Sequence, residues 1–280
     1  MKIGITGATG QLGKLVVEQL KERKQAENIV ALVRTPEKAK ELGVEVRAFD
    51  YNNPEALPAQ LAGIDKLLLI SANELGQRSR QHKNVIQAAQ NAGVKWIVYT
   101  SLLHADDTTL NLAEEHLETE KVLKESGIDY TILRNGWYTE NYTASIEGAI
   151  AGGAFIGSAG SGRIASAARF DYAEAAAVVL LSDNYKGKVF ELAGDNAYTL
   201  SELAAELSNQ TGKDLPYRNL QEEEYAKILE SFNIPSSFAH AIASWDVSAS
   251  KGDLFDDSRE LSKLIGRPTT PMATSVKSAL

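Results

Sequence analysis

The sequence contains no cysteine among its 280 residues. Disulfides, thiolate catalysis, thiolate zinc sites and iron–sulfur clusters are therefore excluded, and we predict no metal site. Positive charge is also scarce, because 29 Lys and Arg stand against 37 Asp and Glu, which argues against nucleic-acid binding. The chain shows no apolar run of membrane-spanning length and no signal peptide at its start. These absences predict a cytoplasmic protein that binds neither nucleic acid nor membrane.

Short apolar runs alternate with helical patterns through most of the chain. Between the runs, apolar residues recur at helical spacing, as they do over Gln11–Arg23. Continuous apolar strands joined by helices are typical of a parallel sheet with helices on both faces, so we predict a doubly wound, Rossmann-type α/β fold. The predicted strands are Lys2–Thr6, Asn28–Arg34, Val44–Asp50, Asp65–Ser71, Val94–Ser101, Ile128–Arg134 and Gly187–Gly194.

The last third of the chain is mainly helical. Thr199 and Glu202 have the spacing of a capping box, and two further helical patterns cover Gln221–Phe232 and Ser236–Ser250. With the small-residue loop Ala151–Phe170, these helices predict a smaller C-terminal lobe on the substrate side. We therefore divide the chain into a dinucleotide-binding domain at 1–150, to whose sheet the strand near 187–194 returns, and a lobe formed by 151–186 and 195–280.

A glycine-rich motif, TGATGQLG, joins the first strand to the first helix. Small residues there let the backbone turn tightly and approach a pyrophosphate, and the following helix N-terminus offers N–H groups to the anion. The same glycines could form a turn without a ligand, but their place between a strand and a helix favours a dinucleotide site. The residues assigned to it are Thr6, Gly7, Ala8, Thr9, Gly10, Gln11, Leu12 and Gly13.

The ends of the second and third strands indicate which dinucleotide binds. Arg34 ends the second strand, where a site for NAD usually holds an acidic residue, and its planar guanidinium matches a 2′-phosphate. A solvated surface arginine is the alternative. Asp50 ends the third strand and is placed to face the adenine ring, although a local strand-end cap explains it equally well. The pattern predicts NADPH as the cofactor.

Three segments resemble a known family: TGATGQLG, HLETEKVLKESGIDYTILRNGWYTENY and SRELSKLIGRPTTP. They are similar to the NmrA-like branch of the atypical short-chain dehydrogenases/reductases, and within it to the type 2 NADPH:quinone oxidoreductases. The resemblance covers nearly the whole chain. It implies an enzyme that reduces a small-molecule quinone to the hydroquinone by direct hydride transfer from NADPH, without flavin. It leaves open a non-catalytic, redox-sensing NADP-binding regulator of the NmrA type, and a homo-oligomer is compatible with it.

The resemblance also implies where the nicotinamide end of the cofactor lies. Ser71, Ala72 and Asn73 follow the fourth strand and should pass near the nicotinamide ribose. Ser101 and Asn135 follow the fifth and sixth strands, and ligands of open α/β sheets bind beyond such carboxyl ends. We therefore assign all five residues to cofactor binding.

The loop after the sixth strand is the most distinctive part of the resemblance. Gly136, Trp137, Tyr138 and Tyr142 are assigned to the nicotinamide side, where Gly136 permits a sharp turn. Tyr138 offers a flat surface to a planar acceptor, and Asn141 offers a donor to a quinone oxygen, so we assign both a catalytic role. The alternative for the three aromatic residues is that they pack the lobe.

The helix near Asn111–Ser126 lacks the Tyr-x-x-x-Lys pair of short-chain dehydrogenases. Ketone reduction leaves a strongly basic alkoxide that needs such a proton donor, whereas the hydroquinone anion is far less basic. The absence therefore disfavours alcohol dehydrogenase or sugar epimerase chemistry and leaves quinone reduction open. His116 is the remaining candidate proton donor on this helix, and Glu120 shares its face one turn away. A packing histidine is the alternative, and Glu115, Glu118 and Lys121 are predicted to be solvated.

Overall fold

The computed structural model describes residues 1–23 and 26–280. Within these residues the strands are β1 (Ile3–Thr6), β2 (Ile29–Val33), β3 (Glu45–Ala48), β4 (Lys66–Leu69), β5 (Trp96–Leu102), β6 (Asp129–Asn135), β7 (Phe155–Gly157), β8 (Val189–Leu192) and β9 (Tyr217–Asn219). The α-helices are α1 (Gln11–Glu22), α2 (Leu57–Gln60), α3 (Arg78–Ala92), α4 (Ala113–Glu125), α5 (Glu140–Thr143), α6 (Ile146–Gly152), α7 (Arg169–Leu180), α8 (Leu200–Thr211), α9 (Glu222–Ser231), α10 (Ser236–Ser250), α11 (Glu260–Ile265) and α12 (Met272–Ser278). Short 3-10 helices cover Ala26–Asn28, Pro36–Leu42 and Asp183–Tyr185.

The chain forms two compact units. The first unit comprises Met1–Asp106, Leu112–Asn135 and Arg169–Leu192. The second unit comprises Asp107–Asn111, Gly136–Ala168 and Ala193–Leu280.

The first unit is built on a seven-stranded parallel sheet in the order β3-β2-β1-β4-β5-β6-β8. Each of these strands overlaps one of the seven predicted strands, so the predicted doubly wound fold is confirmed. The strand order reverses between β1 and β4, and the loops that follow these two strands therefore lie at the switch point where ligands of such sheets bind. Both faces of the central strands are covered, since every residue of β1, β2 and β4 is buried.

Helix α7 belongs to the first unit, contrary to the predicted boundary at residue 150. It packs against α1 through a run of buried alanines, and the buried Nζ of Lys66 in β4 donates a hydrogen bond to Leu180 O at 2.9 Å. The same ammonium pairs with Asp183 at 3.0 Å and lies 4.6 Å from the centre of the Trp96 ring. These contacts place 169–192 with the sheet rather than with the lobe.

The second unit also begins earlier than predicted. Thr139 N donates to Ala167 O at 2.9 Å, so the segment after β6 pairs with the loop before α7. Thr109 N donates to Asp253 Oδ2 at 2.9 Å, which adds 107–111 to the same unit. The bounds of the compact units therefore differ from the predicted lobe boundaries at both places, because hydrogen-bond partners far along the chain hold these segments.

Helices dominate the second unit, around the short parallel pair β7–β9. The predicted capping box is present at the start of α8: Glu202 N donates to Thr199 Oγ1 at 3.2 Å, and Thr199 N donates to Glu202 Oε2 at 2.7 Å. The helix ends at Gly212, whose φ of 68° is left-handed. Helices α9 and α10 lie where the sequence predicts them and pack against each other. Among the described residues, no helix is long and apolar enough to cross a membrane.

Candidate active site

The glycine-rich segment forms a tight turn between β1 and α1. Gly7 has a φ of +58°, and Gly10 N donates to Gly7 O at 2.8 Å to close the turn. A Cβ on Gly13 would lie 2.3 Å from Gly7 O, so the first turn of the helix packs too closely on the strand for any side chain. Gly10 is the N-cap of α1 and supplies no side-chain cap, which leaves the first N–H groups of the helix to a ligand or to water.

Thr6 has a structural role at the base of this turn. Its side chain is fully buried, and its Oγ1 accepts a hydrogen bond from Ile70 N at 2.9 Å. Because Ile70 follows β4, this bond ties the carboxyl ends of the two strands at the switch point together. The turn is thereby fixed relative to the segment that follows β4.

Arg34 lies where the sequence predicts a 2′-phosphate contact, directly after β2. Its guanidinium pairs with Glu74 in the segment after β4, with an NH1–Oε1 distance of 2.9 Å. The arginine side chain is 64% exposed, so it lies at the surface beside the glycine-rich turn. Asp50 is exposed as well, and its Oδ1 accepts from Asn52 N at 2.9 Å, which favours the local-cap interpretation over contact with adenine.

The segment after β4 is held by side chains from several elements. Ser71 N donates to Thr100 Oγ1 at 2.9 Å, and Ala72 N donates to His82 Nε2 at 2.9 Å. Ala72 O accepts from Arg78 Nε at 2.7 Å. Ser71 and Ala72 are therefore fixed in place by β5 and α3, whereas Asn73 lies exposed beyond them. A backbone held in this way is pre-organised for a ligand.

The hydrogen bonds of His82 determine its tautomer. Thr119 donates its hydroxyl proton to Glu115 O at 2.8 Å, so it accepts the proton from His82 Nδ1 at 3.0 Å. Nε2 is then the acceptor that Ala72 N requires. Burial, followed by the nearby charge of Arg78, lowers the pKa of His82 to about 3. The ring therefore stays neutral, and the bond to Ala72 persists, throughout the physiological pH range.

His116 lies on the buried face of α4, as does Glu120. Its Nδ1 lies 2.7 Å from the hydroxyl of Tyr99, and only 5% of the residue is exposed. Burial, with the charge of Arg78 next in importance, lowers the pKa of His116 well below its ordinary value. These observations favour the packing interpretation over a catalytic histidine.

Glu120 instead belongs to a buried ionic cluster at the ends of β5 and β6. Its carboxylate accepts from Ser101 Oγ at 2.7 Å and from Arg134 Nε and NH2, both at 2.9 Å. Arg134 NH1 also pairs with Glu191 at 2.8 Å and with Asp106 at 2.9 Å. Burial opposes the charge of Arg134, but the carboxylates outweigh it and raise the pKa of the guanidinium. The cluster engages the Ser101 side chain and fixes the two strand ends.

Glu115 was predicted to be solvated, but its carboxylate is engaged by the protein. Its carboxylate accepts hydrogen bonds from Gly76 N at 3.2 Å and Ser79 N at 3.4 Å, so it satisfies N–H groups at the start of α3. Glu118 and Lys121 are exposed, as predicted.

The predicted acceptor loop lies in the second unit. Trp137 O accepts from Ala167 N at 3.1 Å, which holds the loop beside the chain before α7. The Trp137 ring meets Trp245 of α10 edge to face, with centroids 5.7 Å apart. Trp137 and Tyr138 are half-buried and Asn141 is exposed, so these three residues offer surface to a ligand. Gly136 and Asn135 are buried at the root of the loop.

Tyr142 is packed inside the second unit. It is 7% exposed, and its hydroxyl donates to Asp246 Oδ1 at 3.4 Å. Asp246 in α10 also accepts from Ser158 N at 2.9 Å. Burial raises the pKa of the Asp246 carboxyl to about 6, although both hydrogen bonds oppose the shift. The geometry favours the packing interpretation for Tyr142.

Sequence analysis missed several residues that shape this region, namely Glu74, His82, Arg134 and Asp246. His82 and Asp246 occupy buried positions within otherwise amphipathic helices. A polar residue at an apolar position of a helical pattern is the one signal that identifies them. Glu74 and Arg134 carry no such signal, and each has an ion-pair partner far along the chain, Arg34 at 40 residues and Glu191 at 57 residues.

Comparison with known proteins agrees with this geometry. Residues 7–179 match the NAD(P)H-binding family. The chain is 58% identical over 277 residues to quinone oxidoreductase 2 of Escherichia coli, which covers 98% of this chain and 97% of the relative. The crystal structure of an NADPH-dependent quinone oxidoreductase from the same species, complexed with NADPH, has a TM-score of 0.96 at 57% identity and covers 99% of each chain.

A Citrobacter triphenylmethane reductase complexed with NADP(H) is also similar. It has a TM-score of 0.96 at 40% identity and covers 100% of each chain. The resemblance that the sequence motifs indicate is therefore confirmed. The chain belongs to the NAD(P)H-binding family, in the NmrA-like branch that includes quinone oxidoreductase 2.

Proposed function

We propose that the protein is an NADPH-dependent quinone reductase that transfers hydride directly to the quinone and releases the hydroquinone. The observation that carries this proposal is the 58% identity to quinone oxidoreductase 2 over 98% of the chain. The alignment covers nearly the whole chain and therefore includes both units. The geometry of the first unit supports it, because the glycine-rich turn there leads into a helix N-terminus without a side-chain cap.

The first unit fits a dinucleotide phosphate cofactor. The uncapped N-terminus of α1 would hold the pyrophosphate. Because Gly13 has no side chain, the first turn of α1 can pack closely on the glycine-rich turn. Arg34 would hold the 2′-phosphate, and the fixed backbone at Ser71 and Ala72 would contact the nicotinamide ribose. When bound, NADPH supplies the hydride.

The loop after β6 carries the residues assigned to the acceptor in this proposal. Trp137 and Tyr138 are half-buried aromatic residues that orient a planar ring, and the exposed Asn141 amide donates a hydrogen bond to a quinone oxygen. A quinone that is already oriented has lost its rotational freedom on binding, which lowers the barrier to hydride transfer. The single proton that completes the hydroquinone comes from solvent, because the hydroquinone anion is far less basic than an alkoxide and His116 is buried and neutral.

Steady-state oxidation of NADPH with 1,4-benzoquinone tests the proposal. We expect turnover by the purified protein without added flavin, and a protein spectrum without flavin absorption. Tight NADPH binding with no turnover of several quinones would refute the enzyme and indicate a regulator that only senses NADP.

A further inference from the structure

The ion pair between Arg34 and Glu74 crosses the region where the cofactor is proposed to bind. Arg34 follows β2, and Glu74 lies in the segment that follows β4. Strands β2 and β4 are the two neighbours of β1 in the sheet. The pair therefore spans the carboxyl end of β1, where the glycine-rich turn begins.

The Glu74 carboxylate is held in place at both oxygens. Oε1 contacts the guanidinium of Arg34 at 2.9 Å, and Oε2 accepts from Gln81 Nε2 at 2.8 Å. Gln81 lies on α3 and is 2% exposed, so its amide is a fixed donor. The base of the same segment is fixed by the bonds of Ala72 to His82 and Arg78. Glu74 is thus aimed at Arg34 by the fold and is not a freely rotating surface carboxylate.

A carboxylate and a phosphate compete for the same guanidinium donors. A planar carboxylate and a tetrahedral phosphate both present anionic oxygens that accept charge-assisted hydrogen bonds from the arginine fork. A phosphate that takes the NH1 group of Arg34 must displace the Glu74 carboxylate from it. A ribose hydroxyl needs no such exchange, because it can donate a hydrogen bond to a carboxylate, as in sites for NAD.

We propose that Glu74 is a specificity-determining residue that competes with the 2′-phosphate for Arg34 and so reduces the preference for NADPH over NADH. The inference rests on the proposed function only in taking NADPH as the cofactor. Glu74 weakens the binding of ligands that carry a 2′-phosphate and leaves the binding of NADH nearly unchanged. In this proposal Arg34 favours ligands with a 2′-phosphate, and Glu74 reduces that preference.

The variant Glu74→Gln tests this role, because glutamine keeps the volume and can still accept the hydrogen bond from Gln81. Dissociation constants are measured by calorimetry for NADPH, NADH and 2′,5′-ADP, which carries the phosphate but no nicotinamide. We expect Glu74→Gln to bind NADPH and 2′,5′-ADP about 3–10-fold more tightly, given the modest strength of an exposed ion pair. Affinity for NADH should stay within about twofold, and the gain should shrink at high salt.

Two further variants show whether the effect passes through Arg34. Glu118→Gln on the exposed face of α4 removes the same charge elsewhere and should leave all three constants unchanged. In an Arg34→Ala background, Glu74→Gln should no longer change the affinity for NADPH or 2′,5′-ADP, because the guanidinium for which Glu74 and the phosphate compete is absent.

An unchanged or weaker affinity of Glu74→Gln for 2′,5′-ADP overturns the proposal, as does a gain that persists in the Arg34→Ala background. Quinone turnover by the parent is measured separately. Failure of the Glu74 effect with normal turnover overturns only this inference. A parent that binds neither NADPH nor 2′,5′-ADP overturns this inference together with the proposed cofactor.

Discussion

Asparagine in place of Asp246 is expected to change how the stability of the protein depends on pH. Asp246 is a buried carboxyl that accepts from Ser158 N and from the Tyr142 hydroxyl. Asparagine has the same shape, can accept from Ser158 N through its oxygen, and can donate to the oxygen of Tyr142. The substitution therefore removes the titration while retaining the packing.

The direction of the effect follows from the raised pKa. Burial raises the pKa of Asp246 from 3.8 to about 6, and the hydroxyls of Tyr217 and Tyr225 also face this carboxyl. Between these two values the unfolded chain has released the proton and the folded protein still holds it. The unfolded state therefore binds fewer protons, and the free energy of unfolding falls as pH rises through this window. Below pH 3.8 Asp246 is protonated in both states and the penalty is absent.

The size of the effect follows from the difference between the two pKa values. A shift of one unit corresponds to about 1.4 kcal/mol, so ionised Asp246 costs the folded state about 3 kcal/mol above neutral pH. About 2 kcal/mol of this penalty develops between about pH 4.5 and pH 7.5, because the unfolded carboxyl is already largely ionised at the lower value. Asp246→Asn lacks this term, so its stability should rise relative to the parent by that amount across the interval.

Urea unfolding at a series of pH values measures the difference directly. The parent and Asp246→Asn are compared at each pH through the midpoint and the slope of the transition. Asp214→Asn, at an exposed position of the second unit, is the matched control and should follow the parent. Parallel stability curves for the parent and Asp246→Asn would refute the reasoning, because the carboxyl would then titrate alike in both states.

Three further predictions concern the proposed site. Arg34→Ala should lose about 1.5–3 kcal/mol of NADPH binding and almost none of NADH binding in a titration; equal losses would show that Arg34 acts through the fold. Tyr138→Ala and Asn141→Ala should raise the quinone KM or lower kcat and leave the NADPH Kd within about a few-fold of the parent, whereas a lower Tm with unaltered activity would indicate packing alone. His82→Leu removes the acceptor of Ala72 N, so the segment proposed to contact the nicotinamide ribose is no longer held in place. The NADPH Kd should rise about tenfold, whereas the Kd of 2′,5′-ADP, which has no nicotinamide, should stay nearly constant. Equal changes in both constants would contradict a local effect on the segment after β4.

The sheet could be predicted from sequence because its central strands are buried on both faces. Such strands read as continuous apolar runs, and β1, β2 and β4 have no exposed residue. The glycine-rich turn was equally predictable, since the requirement for Gly13 comes from its close approach to the backbone of Gly7 and Ala8. Both features depend on residues close together in the chain.

The side-chain partners could not be predicted, because they come from distant parts of the chain. His116 and Glu120 share a helical pattern, yet one bonds to Tyr99 and the other to Arg134. The placement of α7 with the sheet depends on its packing against α1, about which the local sequence carries no information. Periodicity indicates that a face is buried but does not indicate what covers it.

The return of α7 and β8 to the first unit has a consequence for synthesis on the ribosome. When residues 1–135 have emerged, the free edge of β6 still lacks β8, and the buried face of α1 still lacks α7. Lys66 likewise still lacks its carbonyl partner, Leu180, which lies 114 residues after it in the chain. The nascent sheet therefore exposes an unpaired edge and an uncovered apolar helix while the intervening part of the second unit is made. A truncated chain ending at Asn135 should consequently accumulate as chaperone-bound or insoluble material, although it contains six of the seven strands.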